Sequence, residues 1–384
     1  MKTKNFNIAF NSSSIRKGNL TGIGYYAYYL SRELEKIKEI EMLYFNERMW
    51  DKKLIINEKS KYSTIKSFVR DNVPYAYDVY RLLVQKRFEK VAHKNLDLYH
   101  EPNFMIYPTS LPSIATIHDC SWIEHPELHP ATRVKAMNKY MKFTLENADH
   151  IIVDAKFTKK MITKLSGYPP KKIDVIPLGV DDLFMPYSRA YTKDFLDSLG
   201  LKFKSYFLLV GTLEPRKNLV SALKAYISLP LKIKKNFKLV IVGGKGWLND
   251  EFDSLSNSII NNGDLLITGY LSLKGIREIY AGAKIFIFPS KYEGFGLPVL
   301  EAMKSGVPVI SSNSSSLPEV CNDAALQFDP LDIDGIASCI KKIVNDPFLE
   351  KKLISLGHEN TKKFSWQKTA IKTVETYHKV LNIK

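Results

Sequence analysis

The sequence predicts an α/β protein built from two doubly wound domains, and three observations support that prediction. Its 384 residues are more than one ordinary hydrophobic core takes, and they suit two domains of about 180 residues each. Short apolar runs alternate with helical stretches along both halves, as expected where helices cover both faces of a parallel sheet. Residues 285–301 add a buried strand, a glycine loop and a helix start, which together are typical of a ligand site in such sheets.

The predicted strands are short runs rich in β-branched and aromatic residues, too short for ordinary helices. In chain order they are Phe6–Phe10, Leu96–Tyr99, Ser113–Ile117, Ile151–Val153, Ile173–Ile176, Tyr206–Val210, Leu239–Val242, Leu265–Thr268, Ile285–Phe288 and Val307–Ile310. Residues 181–193 lack a strong hydrophobic period, so we place the linker there and predict domains at residues 1–185 and 190–365. An amphipathic stretch within residues 366–384 predicts a final helix.

The charge of the chain narrows the classes of partner. An excess of 56 basic over 40 acidic residues gives a net charge of +16, which favours a nucleotide sugar, an acidic membrane surface or nucleic acid. Charge alone does not choose among these three. No compact motif of basic and aromatic residues accompanies the lysine-rich segments, so we predict no nucleic-acid partner.

The cysteines and the hydropathy pattern predict a cytoplasmic protein. Cys120, Cys321 and Cys339 are odd in number and lack metal-ligand spacing, which is typical of buried thiols in a reducing compartment. No apolar run approaches about eighteen residues, and residues 1–7 are too polar to open a signal peptide. Any contact with a membrane would therefore be peripheral, on the cytosolic face.

The strand at residues 285–288 leads into the strongest candidate site. Gly294 and Gly296 let the backbone approach a ligand closely, and a helix start with anion-attracting amides follows them. Glu293 and Glu301 flank this loop, at the carboxyl end of the sheet. An ionised carboxylate can accept two hydrogen bonds from a vicinal diol, so the pair suits binding of a sugar or a ribose.

A cationic turn follows the strand that ends at Val210. There Arg216 and Lys217 lie between the strand and the start of a helix. An arginine can grip a phosphate through two parallel hydrogen bonds, a lysine adds a point charge, and a helix start adds amide donors. The turn predicts diphosphate binding, and a capped helix with exposed charges is the alternative that the turn alone leaves open.

Other candidates lie in loops that follow predicted strands. Gly24 and Gly244 belong to glycine loops, for which a purely structural turn is the alternative. His118 directly follows the strand at residues 113–117, where a neutral imidazole could hydrogen-bond hydroxyl groups with its tautomer fixed by a neighbour. The next residue, Asp119, would either orient that imidazole or contact an acceptor.

An aspartate pair raises the question of a metal site. Asp332 and Asp334 have the spacing of a metal motif, but they precede a helix predicted at residues 335–343. Aspartates at that position cap the first amides of a helix and complement its dipole. We therefore predict helix capping, and no metal site.

Two of these segments resemble motifs of the family 4 retaining glycosyltransferases. Residues 285–301 resemble the family signature, in which two glutamates bracket the donor, and residues 214–218 resemble its Glu-Pro-Arg-Lys-Asn diphosphate motif. The resemblance covers nearly the whole chain and is strongest at residues 175–319. It implies the GT-B architecture, in which two Rossmann-like domains face each other across a cleft and the final helix crosses back onto the first domain.

The resemblance also implies roles for the candidate residues. Glu301 would hold the ribose hydroxyls of the donor, Glu293 would face the transferred sugar, and His118 would hydrogen-bond that sugar. The other implied donor-site residues are Arg216 and Lys217 at the diphosphate, Gly24 near the phosphates, Gly244 beside the donor, Tyr270 and Leu271 at the nucleotide base, and Gly294, Phe295, Gly296 and Leu297 at the sugar and diphosphate. One departure is Asp154, where relatives commonly carry a serine.

The reaction implied by the resemblance is retaining, metal-independent sugar transfer from a nucleotide-diphosphate sugar to a saccharide or lipid-linked saccharide, without a cofactor. Residues 113–127 resemble the mannosyltransferase branch of bacterial surface polysaccharide synthesis, so GDP-mannose is the expected donor. Two alternatives stay open. One is a sugar-nucleotide epimerase or hydrolase of the same architecture, and the other is a non-enzymatic basic protein that binds nucleic acid or a membrane.

Overall fold

The computed structural model describes residues 5–15, 22–56, 76–90, 95–244, 246 and 250–382. Contacts divide the chain into two compact units. The first unit combines Met1–Gly179 with Trp366–Lys384, and the second unit is Val180–Ser365. No helix in the described part of the chain is long and apolar enough to cross a membrane.

The first unit is built on a twisted sheet with the strand order β3-β2-β1-β4-β5-β6-β7. Its strands are β1 (Phe6–Asn11), β2 (Ile40–Phe45), β3 (Trp50–Asp51), β4 (Leu98–Glu101), β5 (Ser113–Ile117), β6 (His150–Val153) and β7 (Ile173–Val175). All neighbours pair in parallel except β2 and β3. The order reverses between β1 and β4, and right-handed crossovers therefore cover both faces with helices.

The helices of the first unit include the C-terminal one. They are α1 (Gly22–Leu34), α2 (Ala76–Glu89), α3 (Ser121–Glu124), α4 (Ala131–Asn147), α5 (Lys156–Ser166) and α15 (Trp366–Val380). The final helix, α15, packs on α1, where Trp366 stacks on Tyr29 at a centroid distance of 5.2 Å. The Oη atom of Tyr377 on α15 lies 2.7 Å from Nδ1 of His100 on β4. The expected return of the last helix to the first unit is confirmed.

The second unit is built on a fully parallel sheet with the strand order β10-β9-β8-β11-β12-β13. Its strands are β8 (Tyr206–Val210), β9 (Lys238–Val242), β10 (Leu265–Gly269), β11 (Ile285–Phe288), β12 (Val309–Ser312) and β13 (Ala325–Phe328). Its helices are α6 (Arg189–Ser198), α7 (Leu219–Ile227), α8 (Leu231–Asn236), α9 (Asp250–Asn261), α10 (Leu273–Gly282), α11 (Leu297–Lys304), α12 (Leu317–Cys321), α13 (Ile333–Asn345) and α14 (Pro347–Thr361). The order reverses between β8 and β11, where ligands of such sheets bind.

The structure corrects several predicted boundaries. The strands β2, β3 and β13 were not predicted, and β13 is a partly exposed edge strand without a continuous apolar run. The strand predicted from Val307 begins at Val309, since the preceding Pro308 has no N–H to donate to a neighbouring strand. Helix capping by Asp332 is confirmed, because its Oδ1 accepts a hydrogen bond from the amide of Gly335 at 2.8 Å.

Residues 180–193 pack within the second unit, although residues 180–185 were assigned to the first domain and 181–193 to a linker. The amide of Val180 donates to the carbonyl of Phe364, and Asp181 forms an ion pair with Arg277 at 2.9 Å. Residues 189–198 form helix α6. The linker was placed too far toward the C-terminus, because α6 is too short for a helical hydrophobic period to be evident in its sequence.

Candidate active site

The candidate donor-site residues of the second unit lie in the loops at the carboxyl ends of β8, β9, β10 and β11 and on helix α11. The loop after β8 carries the cationic turn, and the loop after β11 carries the two glycines. Because β8 and β11 are neighbours at the point where the strand order reverses, these two loops lie side by side. The sheet thus brings together segments that are about seventy residues apart in sequence.

Asn218 fixes the position of the cationic turn. Residues 215–217 form one turn of 3₁₀ helix, and Asn218 follows in the left-handed conformation at φ 56°. Its Nδ2 donates hydrogen bonds to the carbonyls of Pro289 at 3.0 Å and Pro330 at 2.6 Å, and its Oδ1 accepts one from Ser221 at 2.8 Å. An amide side chain can donate and accept in this way, and it tolerates the left-handed conformation. The turn is therefore tied to the loop after β11.

Glu293 is the buried centre of this cluster. Its Oε2 accepts a hydrogen bond from Nη1 of Arg216 at 2.7 Å, and its Oε1 accepts one from Nζ of Lys217 at 2.7 Å. Burial by itself would raise the pKa of the Glu293 carboxyl. The two cations outweigh that effect and lower the pKa to about 2, so the group is ionised at neutral pH.

The two cations are themselves held in place by acceptors of the second unit. Arg216 donates from Nη1 to the carbonyl of Tyr292 at 2.6 Å and from Nη2 to Glu214 at 2.5 Å. An ammonium carries three N–H groups, and Glu293 accepts from one of those on Lys217. The cluster of Glu214, Arg216, Lys217 and Glu293 is therefore a preorganised set of charges, with two carboxylates opposite two cations.

The glycine loop after β11 is shaped by close packing. Gly296 has φ 113°, and a Cβ atom there would lie 2.7 Å from Cδ2 of Leu317, so only glycine fits without a shift. Oγ of Ser316 donates to the carbonyls of Glu293 and Phe295, both at 2.9 Å, and the Glu293 amide donates to Oγ of Ser315 at 2.8 Å. The loop thus reaches the start of α11 at Leu297 with its backbone fixed by serines from the next loop.

Glu301 lies on α11 in a different environment from Glu293. It is half-buried, and its Oε2 accepts a hydrogen bond from Oη of Tyr280 at 2.9 Å. Burial raises the pKa of Glu301 to about 7, and the nearby Asp181 carboxylate adds to that shift. This carboxyl therefore changes its charge near neutral pH, whereas that of Glu293 does not.

The remaining donor-site candidates of the second unit lie in the loops after β9, β10 and β11. A Cβ atom on Gly243 would lie 1.8 Å from the carbonyl oxygen of Gly211, which makes that glycine structural. A Cβ atom on Gly244 would have no neighbour within 4 Å, and the Gly244 carbonyl accepts a hydrogen bond from the amide of Leu213 at 3.1 Å.

The candidates after β10 and β11 differ in exposure. Tyr270 is 53% exposed. Gly294 is buried, Leu271 is half-buried after β10, and Lys245 and Trp247 lie outside the described residues.

In the first unit, His118 is buried at the end of β5, and both of its ring nitrogens have partners. Nδ1 lies 2.7 Å from Oδ2 of Asp154, and Nε2 lies 2.9 Å from the carbonyl oxygen of Pro102. Burial would lower the pKa of His118, but Asp154 outweighs burial and raises it. The neutral imidazole expected from the sequence is therefore not the form that this geometry favours.

Of the two roles that the sequence left open for Asp119, orientation of His118 is not the one that the structure shows. Asp119 does not orient the ring, because its Oδ1 accepts hydrogen bonds from the amide of Ser121 at 2.9 Å and from its Oγ at 2.8 Å. Asp154, at the end of β6, orients it instead. Contact of Asp119 with an acceptor stays a prediction. Gly24 is buried in the first turn of α1, where backbone amides have no partner within the helix.

Sequence reasoning missed the residues that hold the site together. Ser315 and Ser316 belong to the run Ser314-Ser-Ser, which is typical of an ordinary polar turn. Ser312 and Ser314 donate to the carbonyl of Ser290 at 2.6 and 3.0 Å, so this run fastens the start of the glycine loop as well. A polar run directly after a buried strand was the one available signal, since such residues lie at the carboxyl end of the sheet.

Comparisons with known proteins agree with this fold. Residues 20–182 match the family model for glycosyltransferase family 4, and residues 195–360 match that for glycosyl transferases group 1. The O-antigen chain mannosyltransferase B of Escherichia coli is 34% identical over 366 residues, which cover 93% of this chain and 96% of that protein.

Solved structures with the same fold have lower identity. Sucrose-phosphate synthase from Thermosynechococcus elongatus superposes with a TM-score of 0.77 at 19% identity, over 98% of this chain and 99% of that one. Anabaena Alr3699/HepE, in complex with UDP and glucose, superposes with a TM-score of 0.72 at 16% identity, over 97% and 100%. Two parallel-sheet units of this topology, the two family models and the near-complete match to one relative show that the chain belongs to the family 4 glycosyltransferases and has the GT-B fold.

Proposed function

We propose that this glycosyltransferase moves mannose from GDP-mannose to a saccharide or lipid-linked saccharide, with retention of anomeric configuration and without a metal ion. The observation that carries the proposal is the preorganised cluster in which Arg216 and Lys217 flank Glu293 at the carboxyl end of the sheet. Mannose is supported by the 34% identity to an O-antigen chain mannosyltransferase over nearly the whole of both chains. That relative also supports surface polysaccharide as the product.

Charge stabilisation of the leaving diphosphate follows from the cationic turn. Arg216 and Lys217 are each held by Glu293, so they need little reorganisation when negative charge develops on the diphosphate. The amides at the start of α11 add donors at the same loop. These groups supply the positive charge that a divalent cation supplies in other transferases, which is why we propose a metal-independent reaction.

Retention follows from attack on the face that the diphosphate leaves. In this scheme the acceptor oxygen bonds to the anomeric carbon as the bond between that carbon and the diphosphate oxygen breaks. The leaving diphosphate takes the proton of the acceptor hydroxyl. Atoms and charge balance without a nucleophile from the protein. Glu293, ionised and near the transferred sugar, would stabilise positive character at the anomeric carbon.

An anionic membrane surface is proposed as a further partner, at the cytosolic face. Helix α2 exposes Val79, Leu82 and Leu83 by 57%, 51% and 50%, and its exposed Lys86 lies one turn beyond Leu82. Apolar side chains beside basic ones are typical of a helix that lies in the headgroup region, where each basic residue adds about 1 kcal/mol of attraction to anionic lipid. Such a contact would bring the enzyme to a lipid-linked acceptor.

The test is transfer with purified protein. GDP-mannose, GDP-fucose, UDP-glucose and ADP-glucose would be incubated with mannose-terminated oligosaccharide acceptors, with and without excess chelator, and the product anomer read by NMR. We expect an α-mannosyl product from GDP-mannose that forms equally in chelator. A β-linked product, or activity lost to chelator and restored by magnesium or manganese, would refute the mechanism. Consumption of the donor without an acceptor would favour the hydrolase or epimerase alternative.

A further inference from the structure

The environment of Asp154 supports an inference that goes beyond the donor site. It is a buried carboxyl group at the end of β6, and its Oδ2 lies 2.7 Å from Nδ1 of His118. Its other oxygen, Oδ1, is buried and has no hydrogen-bond partner among the residues that the structure describes. A buried carboxylate oxygen without a partner is costly, so a single strong interaction with His118 has to compensate for the burial of this group.

The opposite nitrogen of His118 determines how many protons the ring holds. The carbonyl of Pro102, 2.9 Å from Nε2, can only accept a hydrogen bond, so Nε2 must carry a proton. One further proton then lies between Nδ1 and Asp154. It lies either on Nδ1, which gives an imidazolium beside a carboxylate, or on Asp154, which gives a neutral imidazole beside a carboxylic acid.

The first of these two states is favoured by the intrinsic basicities and by the short contact between the two groups. An imidazole holds a proton more tightly than a carboxylate by about 2.6 pKa units. Burial acts against the ion pair, because it raises the pKa of Asp154 and lowers that of His118, and the 2.7 Å contact between Nδ1 and Oδ2 opposes burial at both groups. The Asp119 carboxylate also raises the pKa of His118. A serine at this position would carry no charge, so it would leave burial of the ring unopposed.

We propose that Asp154 is a positioning residue that holds His118 as an imidazolium ion, with Nε2–H directed at the Pro102 carbonyl, and that this charged form is the one that supports sugar transfer. The charge state itself does not depend on the donor or the reaction. Only its effect on the rate rests on the proposed function. The pair therefore places an imidazolium at the carboxyl end of β5, directly beside the carboxylate that balances its charge.

The side chains around the His118 ring come from several elements. Each of them either stays neutral or raises the pKa of the ring. From α1, the ring of Tyr26 meets His118 edge-on at a centroid distance of 4.8 Å, and burial raises the pKa of that phenol so that it stays neutral. From β4, His100 is kept neutral because burial lowers its pKa to about 3. The ring of Phe104 also meets the His118 ring edge-on, at a centroid distance of 5.5 Å. The charged neighbours that raise the pKa of His118 are Asp154 and Asp119.

The experiment is NMR of protein labelled with ¹⁵N-histidine, with the His118 signals assigned by their loss in His118→Gln. In the unaltered protein we expect both ring nitrogens of His118 to carry protons at pH about 7.5. Asp154→Asn and Asp154→Ser should convert the ring to the neutral tautomer protonated only at Nε2, and should lower the titration midpoint by at least about one pH unit.

A matched control is Asp174→Asn, which removes a carboxylate that lies 3.2 Å from His150 in the same sheet. It should leave the His118 signals unchanged. The rate readout is the dependence of kcat/KM on pH for mannose transfer. In both Asp154 variants we expect the loss of activity at high pH to move to lower pH, with partial recovery on acidification, which a merely structural defect would not show.

Two results would overturn the proposal. The first is a neutral His118 at pH about 7.5 in the unaltered protein, or a titration that Asp154→Asn leaves in place. The second is a changed His118 titration without any shift in the pH profile of transfer, which would make the pair structural only. Failure of mannose as the substrate would leave the NMR result intact, so the two proposals fail separately.

Discussion

Glu293 and Glu301 lie at the two ends of one glycine loop and helix start, yet their carboxyl groups titrate on opposite sides of their ordinary range. Arg216 and Lys217 outweigh burial at Glu293 and lower its pKa to about 2. At Glu301 burial prevails, since Tyr280 offers only a neutral hydrogen bond, and the pKa is raised to about 7. One carboxylate is permanently charged and the other is poised to change its charge near neutral pH.

The pH dependence of nucleotide binding should follow Glu301. An ionised carboxylate accepts hydrogen bonds from the ribose diol, and a protonated one loses that capacity in part. Because the pKa is raised, the carboxyl is mostly protonated below pH about 7 and mostly ionised above it. We expect GDP affinity, measured by calorimetry, to rise up to about tenfold from pH about 6 to about 8. Glu301→Gln should abolish this rise, and a rise that persists in that variant would contradict the assignment.

Removal of the two glutamates should have different effects. Glu301→Ala should weaken binding of GDP and of donor alike, by about 1.5–3 kcal/mol for a lost charged hydrogen bond. Glu293→Gln should lower turnover without weakening the binding of GDP, because its charge acts on the sugar and the carboxylate donates no hydrogen bond to the diphosphate. Calorimetry with GDP and steady-state rates on both variants provide the measurement. Identical profiles would refute the division of roles.

Arg216 should matter both to binding and to turnover. Arg216→Ala removes the guanidinium that donates from Nη1 to Glu293 and from Nη2 to Glu214. GDP affinity and kcat should both fall, since the diphosphate is charged when bound and more so as it leaves. Arg216→Lys is the matched control, because it keeps the charge and loses the planar fork. If the lysine variant equalled the unaltered enzyme in both measurements, a bidentate grip on phosphate would be excluded.

Asn218 offers a test of how the site is held together. Asn218→Ala removes the hydrogen bonds to the carbonyls of Pro289 and Pro330, which should cost about 1–3 kcal/mol. It also keeps a Cβ at positive φ without the polar side chain that lets asparagine tolerate that conformation, at a cost of about 1 kcal/mol. Asn218→Gly loses the same hydrogen bonds without that second cost. The free energy of unfolding in urea should therefore be higher for the glycine variant than for the alanine variant, and lower for both than for the unaltered protein. Equal stability of all three would show that Asn218 does not anchor the turn.

Membrane binding should depend on helix α2. Replacing Leu82 and Leu83 by serine should lower partitioning onto anionic vesicles by at least about tenfold, since burial of one leucine contributes about 1.5 kcal/mol or more. High salt should weaken binding of the unaltered protein, because basic residues contribute. Leu331→Ser, at a residue of the second unit that is 71% exposed, is the control. Partitioning that is the same onto neutral and anionic vesicles at low salt would contradict the proposal.

The sequence by itself determined the fold class and most of the strands. Buried parallel strands are continuous apolar runs, and Ser113–Ile117, Tyr206–Val210 and Ile285–Phe288 match the structure to the residue. Of the three strands that escaped prediction, β3 and β13 are short edge strands whose stability comes from a neighbouring strand rather than from their own composition. The third, β2, lies inside its sheet, and its apolar run is interrupted by Glu41. The chemical types of the candidate donor residues were also readable, since glycines, carboxylates and cations directly followed those strands.

The tertiary structure decided which of these groups face each other, and therefore their charge. Nothing local to Asp119 and Asp154 says which of them meets His118, because that depends on the pairing of β5 with β6 and on the geometry of the loops beyond them. In the same way Glu293 and Glu301 are alike in sequence, and only the packing of β8 against β11 brings Arg216 and Lys217 to one of them. A pKa reports burial and neighbouring charges, and both are properties of the folded chain.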